Sequence, residues 1–210
     1  MKVIYVYDAL CGWCYGFSPV MNQFLDKYKD SLAFEVVSGG MITGGRIGTI
    51  SEVATYIIRA YKYVEKAANA KFGSDFLNIT LKNGTAVFTS IPPAIALSVF
   101  KNYQEEKSIQ FATALQTAIY FDGLEPENYA GYGKIAKEFG LDPDDFVAKM
   151  RDSVYIQNAQ NDFKKSNDLG VSGFPTVFIE NEGVYYKIAS GFVPFNVLEN
   201  NFLTIKNKLK

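Results

Sequence analysis

The 210-residue chain contains no histidine. That absence excludes Ser-His-Asp and Cys-His catalysis, histidine-ligated metals and an imidazole proton shuttle. Cysteine is almost absent too: only Cys11 and Cys14 occur, so any cysteine chemistry runs between these two or with another molecule. No excess of charge of either sign exists, because 21 Lys and Arg oppose 22 Asp and Glu for a net charge of −1. With the basic residues scattered, neither nucleic acid nor an anionic membrane is an expected partner. No run approaches the roughly 18 uninterrupted apolar residues of a membrane helix. The segment before Cys11 has one lysine, no extended apolar core and no small-residue cleavage site, so it does not read as a signal peptide and a cytoplasmic location is expected.

What the chain does have is material for a core, with 48% hydrophobic and 15% aromatic residues. This length suits one folding unit with an elaboration better than two independent domains. Val3 to Tyr7 (VIYVY) reads as a buried strand. Phe17, Val20, Met21, Phe24, Leu25 and Tyr28 then mark one face of a helix. Leu32 to Val37 (LAFEVV) reads as a second strand, which makes a right-handed βαβ unit with parallel strands. From about Arg46 the period becomes helical, with segments near 51–70, 92–103, 106–121, 127–139 and 143–165 and an ambiguous stretch near 74–89. A connection this long must carry its own packed structure. Strand signals return at Thr176 to Ile179 and Val184 to Ala189, joined as a hairpin across Asn181-Glu182-Gly183, and a last amphipathic helix starts near Pro194.

The two cysteines are spaced for thiol–disulfide exchange. One sulfur must attack and a second must lie close enough to release the mixed disulfide, which two intervening residues at a helix start allow. Unpaired N–H groups and the positive end of the helix dipole favour thiolate at the first position. Cys11 is therefore the expected, exposed nucleophile and Cys14 the resolver. Trp13 cannot add the positive charge a histidine would, so a less extreme oxidant is expected, and its indole offers an apolar face to partner chains. Two plainer readings compete. Half a zinc site could be completed only by carboxylates or a second subunit, since no other Cys or His exists, and a structural bridge over two residues closes too small a loop to stabilise much.

The Cys11-Gly12-Trp13-Cys14 motif after the first strand, Pro19 inside the following helix, the long helical insert and Gly170-Val171-Ser172-Gly173-Phe174-Pro175-Thr176 together resemble the DsbA-like branch of the thioredoxin superfamily. The segment Tyr7 to Phe17 (YDALCGWCYGF) is similar to a bacterial subgroup described as predicted protein-disulfide isomerases. The resemblance implies a thioredoxin-like α/β fold (βαβ…ββα) with 1–45 and 168–210 as the thioredoxin-like part and 46–167 as the inserted helical subdomain. It further implies a cis bond at Phe174-Pro175 that turns the Phe174 backbone toward the dithiol, where an extended substrate adds a strand; without the resemblance, Pro175 reads as a plain strand start. Gly12, Trp13, Phe174 and Pro175 are thus the expected substrate-binding residues. No metal or organic cofactor is expected, since the dithiol is itself the redox group. Lacking the histidine between the cysteines and a secretory signal, the chain departs from the periplasmic oxidases, which favours reductase or isomerase work on protein or small-thiol disulfides, glutathione among them.

Asp8 is a candidate proton acceptor for Cys14 or else a strand-end residue or helix N-cap. Ile91-Pro92-Pro93 either borders the active-site cleft or simply starts a helix. Gly39-Gly40 and Gly44-Gly45 lack any nucleotide-binding pattern. Two alternatives to the disulfide enzyme remain. One is a glutathione-dependent isomerase or transferase of the kappa-class and 2-hydroxychromene-2-carboxylate isomerase kind, whose members carry serine where Cys11 stands. The other is a non-catalytic peptide-binding module using Trp13, Tyr15 and Phe174 as an apolar patch.

Overall fold

A computed structural model describes residues 1–209. Strand β1 (Lys2–Tyr7) leads into helix α1 (Gly12–Tyr28) and strand β2 (Ala33–Ser38). After a two-residue strand β3 (Gly48–Thr49) come α2 (Ala54–Ala68), a π-helical turn (Phe76–Thr80), α3 (Leu81–Asn83) and a two-residue β4 (Val87–Phe88). Helices α4 (Ile91–Gln104), α5 (Ser108–Tyr120), α6 (Tyr129–Glu138), α7 (Pro143–Lys149) and α8 (Ser153–Asp168) follow. The hairpin β5 (Thr176–Asn181) and β6 (Val184–Ser190) and helix α9 (Phe195–Lys208) close the chain.

The main sheet has the order β2-β1-β5-β6, with β1 parallel to β2 and antiparallel to β5. Val3, Tyr5 and Tyr7 of β1 and Val177 and Ile179 of β5 share a core with Phe17 and Phe24 of α1 and Phe202 of α9. Alternation sends Ile4, Val6, Val37 and Phe178 into a second, smaller cluster closed by Leu169, Val171 and Phe174. This is the expected α/β arrangement, βαβ…ββα around a helical insert. The insert has its own aromatic centre: Phe100 of α4 stacks on Phe111 of α5 with centroids 4.0 Å apart, and Phe139 stands edge-on to both. It is tied back to the sheet where Asp162 of α8 accepts from the Ser38 N–H and from Lys101 of α4.

Three details differ from the sequence expectation. The stretch 143–165 is two helices, because Asp142 caps α7 through the N–H groups of Asp144 and Asp145 while Asp152 caps α8 through that of Val154. The ambiguous 74–89 holds the π-helical turn, α3 and β4, and β4 pairs with β3 as a small antiparallel ribbon. In the hairpin, Asn181 still pairs with Val184, which leaves Glu182 and Gly183 as the turn.

Phe100 is fully buried at the centre of the insert. Phe100→Ala is expected to cost about 3–5 kcal/mol, measured as a fall in the urea-unfolding free energy. A loss below about 1 kcal/mol would place the stabilising core of the insert elsewhere.

Candidate active site

The site forms where β1 runs out and α1 begins. Between them Asp8 turns the chain: its carbonyl accepts from Cys11 N–H at 3.1 Å and its Oδ1 from Leu10 N–H at 3.0 Å. Cys11 then occupies the N-cap of α1 in extended conformation, with its sulfur accepting from the Cys14 N–H at 3.4 Å. A sulfur thus takes the place usually filled by a Ser, Thr or Asp oxygen, and the first turn of the helix donates to the atom that would carry negative charge. Both cysteines are free thiols.

The bond Phe174-Pro175 is cis. Across the site the Cys11 thiol donates to the Phe174 carbonyl at 3.6 Å, so the two predicted loops do meet. The Phe174 ring packs against Gly39, where an added Cβ would sit 2.1 Å from a ring carbon. Trp13 lies tilted on Phe192 at 6.1 Å, and Tyr15 stands edge-on to Phe72 at 5.2 Å. The apolar patch expected from Trp13, Tyr15 and Phe174 is therefore dispersed over three separate packing contacts. Gly12 faces Phe72, with room for a Cβ at 3.5 Å from its ring.

Cys11 is less open than its expected role suggested, at 7% exposure, because the insert closes over it. Helix α2 reaches α1 through Gly16, where a Cβ would come within 2.9 Å of Val64 and Ala68. The result is a cavity of about 170 Å³ whose wall includes Cys11, Gly12, Trp13 and the inner face of α2. The Cys11 side of the dithiol therefore borders that cavity on one side and the Phe174 carbonyl on another.

Cys14 is fully buried. Burial pushes its thiol well above the ordinary range, and the hydrogen bond with Cys11 and the nearness of that thiol push the same way. Burial is the largest of these causes, so the neutral thiol is the favoured form of Cys14 in this setting. Burial likewise holds the Tyr5 hydroxyl neutral, with the nearby Cys14 and Cys11 adding to it.

Asp8 is also buried, and its carboxylate gathers donors from three segments: Leu10 N–H, Met41 N–H at 2.7 Å and Ser90 Oγ at 2.9 Å. It is a strand-end brace, and the N-cap position it was a candidate for belongs to Cys11. Burial pushes its carboxyl up against the opposing pull of those hydrogen bonds. Ile91-Pro92-Pro93 does not line the cavity; its segment reaches the site only through Ser90. Gln116 of α5, whose amide donates to the Asp8 carbonyl at 3.2 Å and accepts from Ser18 Oγ at 2.8 Å, was not foreseen.

A dithiol at a strand-to-helix turn, facing a cis-proline loop on a mixed four-stranded sheet, defines a thiol–disulfide oxidoreductase of the thioredoxin kind. The chain belongs to the DSBA-like thioredoxin domain family, whose model matches residues 2–202. Among solved structures it is similar to a candidate protein disulfide isomerase from Nitrosomonas europaea, with 22% identity, a TM-score of 0.84 and 99% of each chain covered. It is also similar to the cytosolic disulfide reductase DsbM from Pseudomonas aeruginosa, with 25% identity, a TM-score of 0.82 and full coverage of both chains. The same reductase solved with GSH gives 23% identity and a TM-score of 0.81 over 100% of this chain and 99% of that one. None of the curated proteins is a significant match to the chain.

Two expectations follow. Gly39→Ala drives a methyl into the Phe174 ring and is expected to cost about 1–3 kcal/mol of stability and to slow disulfide exchange, read by urea unfolding and by turnover. The second concerns Asp8. Because folding raises its affinity for a proton, its contribution to stability is fullest below the ordinary carboxylate value of about 3.9 and declines as pH climbs through the raised folded value. Asp8→Asn loses the acceptor for Met41 N–H, costing about 1–3 kcal/mol, yet its deficit against wild type should shrink as pH rises from about 4 toward 7. A pH-independent deficit in urea unfolding would show that Asp8 titrates as it does in the unfolded chain.

Proposed function

We propose that this protein is a cytoplasmic disulfide reductase or isomerase in which the Cys11 thiolate attacks a substrate disulfide and Cys14 resolves the mixed disulfide. The observation that carries this reading is the Cys11 sulfur itself, held at the N-cap of α1 by the Cys14 N–H and turned toward the Phe174 carbonyl. Attack on a disulfide R–S–S–R′ joins Cys11 to one sulfur and expels the other as thiolate. Cys14 then gives up its proton, attacks the Cys11 sulfur and expels the second thiolate, leaving a Cys11–Cys14 disulfide. Asp8, buried and raised by burial, is the candidate acceptor of that proton. Regeneration needs a dithiol or two monothiols as reductant.

The substrates are protein or small-thiol disulfides, with the Phe174 backbone beside Pro175 receiving an extended chain and Gly12 and Trp13 lining the approach. The dithiol serves as the redox group without metal or organic cofactor. Support for the reducing direction and for the cytoplasm comes from the similarity to a cytosolic disulfide reductase, and support for counting glutathione among the thiols comes from that protein's structure with GSH. Among the described residues no helix is long and apolar enough to cross a membrane. The intact Cys11–Cys14 dithiol supports disulfide exchange over the glutathione-dependent isomerase or transferase alternative, for which serine is the expected residue at position 11.

Cys11→Ser is expected to abolish reduction of hydroxyethyl disulfide and of insulin, while Cys14→Ser accumulates a mixed disulfide with substrate visible by mass spectrometry. Measuring the Cys11–Cys14 potential against glutathione checks the direction: a value far above the cytosolic poise fits a dithiol held reduced at rest, and a far lower one a stable bridge. Full activity in the Cys11→Ser variant would sink the proposal.

A further inference from the structure

The cavity beside Cys11 has a chemistry of its own. Its α2 wall is formed by Val53, Tyr56, Ile57, Ala60, Tyr61 and Val64, positions spaced three and four apart along one stripe of the helix. The charged residues of the same helix, Arg59, Lys62, Glu65 and Lys66, all fall off that stripe and outside the cavity lining. Opposite stand Leu10, Trp13, Met41, Ile42, Phe72, Phe88 and Tyr120. The polar side-chain groups on the whole wall are the Cys11 thiol, the Trp13 indole and three tyrosine hydroxyls. Among the described residues no Lys, Arg, Asp or Glu lines the cavity. At its rim Tyr56 and Val53 remain 67% and 39% exposed.

Backbone groups of the Met41-Ile42 and Phe72 walls are already bonded. Met41 N–H is bound to Asp8, Ile42 N–H to the Ser90 hydroxyl, Ile42 carbonyl to Ser90 N–H, and Phe72 N–H to Glu65. A peptide main chain would find little to pair with here. The cis-proline loop, where an extended chain can pair, contributes nothing to the wall. The space therefore suits a side group and not a backbone. Its size is about 170 Å³, and an apolar cavity of about 150 Å³ is known to hold one benzene.

We propose that this cavity binds a single uncharged aromatic ring carried by the sulfur that Cys11 exchanges with, so that low-molecular-weight aromatic disulfides are preferred substrates and glutathione is kept out of it. The assignment rests on the reading of Cys11 as the exchanging sulfur. Glutathione carries two carboxylates and an ammonium, and burying them against this wall would leave all three unpaired. It can exchange only from outside the cavity. For an aromatic disulfide Ar–S–S–Ar, Cys11 thiolate forms Cys11–S–S–Ar and releases ArS⁻; Cys14, losing its proton, then closes the enzyme disulfide and releases the second ArS⁻. Two electrons pass from the dithiol to the substrate, and an added dithiol restores the enzyme.

Trp13 is the only tryptophan of the chain and lines the cavity, so its fluorescence reports occupancy. The reduced protein is titrated with two thioethers that cannot exchange, benzyl methyl sulfide and S-methylglutathione. The expected result is a saturable change in Trp13 emission with the first, no change with the second, and loss of the response in Ala60→Phe, which fills the cavity from α2. In stopped-flow assays Ala60→Phe should slow reaction with 4,4′-dithiodipyridine about tenfold more than reaction with hydroxyethyl disulfide, while Lys62→Phe, off the stripe, changes the ratio little. Ala60→Leu serves as a milder filling should the phenylalanine variant misfold.

Saturation by S-methylglutathione that Ala60→Phe removes would overturn the assignment, as would silence of Trp13 toward both thioethers. Displacement of benzyl methyl sulfide by a Phe-flanked cysteine peptide at equal concentration would reassign the cavity to protein substrates. These outcomes are independent of the redox reading, which fails separately if the reduced protein does not react with hydroxyethyl disulfide.

Discussion

The carboxylate of Asp8 is the junction on which the site depends. It is buried, yet it collects the N–H of Leu10 from the active-site turn, the N–H of Met41 from the loop after β2 and the hydroxyl of Ser90 from the insert. Each donor comes from a different part of the chain, and none of the three can shift without leaving a polar group unpaired in the interior. Burial works against the charge while the donors favour it, and the balance makes the group costly to keep and informative about position. What it positions is the start of α1, and with it the Cys11 sulfur over the Cys14 N–H.

Around this junction the thioredoxin-like part and the insert have divided the labour. The sheet and α1 bring the two cysteines and the Phe174 carbonyl together. The insert supplies Ser90 to Asp8, Gln116 to the Asp8 carbonyl and the α2 wall over Cys11. Gly16 and Gly39 are the contact points that let these pieces close, the first under α2 and the second under the Phe174 ring. Chemistry that belongs to residues 8–14 is therefore framed almost entirely by residues distant in sequence.

How much of this was readable beforehand follows the range of each interaction. Strand β1, helix α1 and the β5–β6 hairpin carry their periodicity in contiguous residues, so Val3–Tyr7, the Phe17–Tyr28 face and Thr176–Ile179 were recognisable from pattern alone. The cis bond at Phe174-Pro175 was reachable only through the resemblance of its GVSGFPT loop. Strands β3 and β4, two residues each, are too short to show alternation. The break between α7 and α8 hinges on Asp152, whose capping is invisible in a helical period that runs on through it. Ser90 and Gln116 escaped notice because they meet Asp8 from 82 and 108 positions away in the chain, and neither residue type announces such a role. The low exposure of Cys11 is equally illegible in its own segment, since the α2 that covers it docks through Gly16.

The helix that roofs the reactive sulfur lies outside the segment that governs its electron chemistry. Residues along the inner stripe of α2 line the cavity beside Cys11, whereas the helix start, Cys14 and Asp8 form the immediate surroundings of its sulfur. The cavity wall over the thiol and the turn that seats it are thus written into separate stretches of the polypeptide, and a substitution on the α2 stripe leaves the helix start untouched.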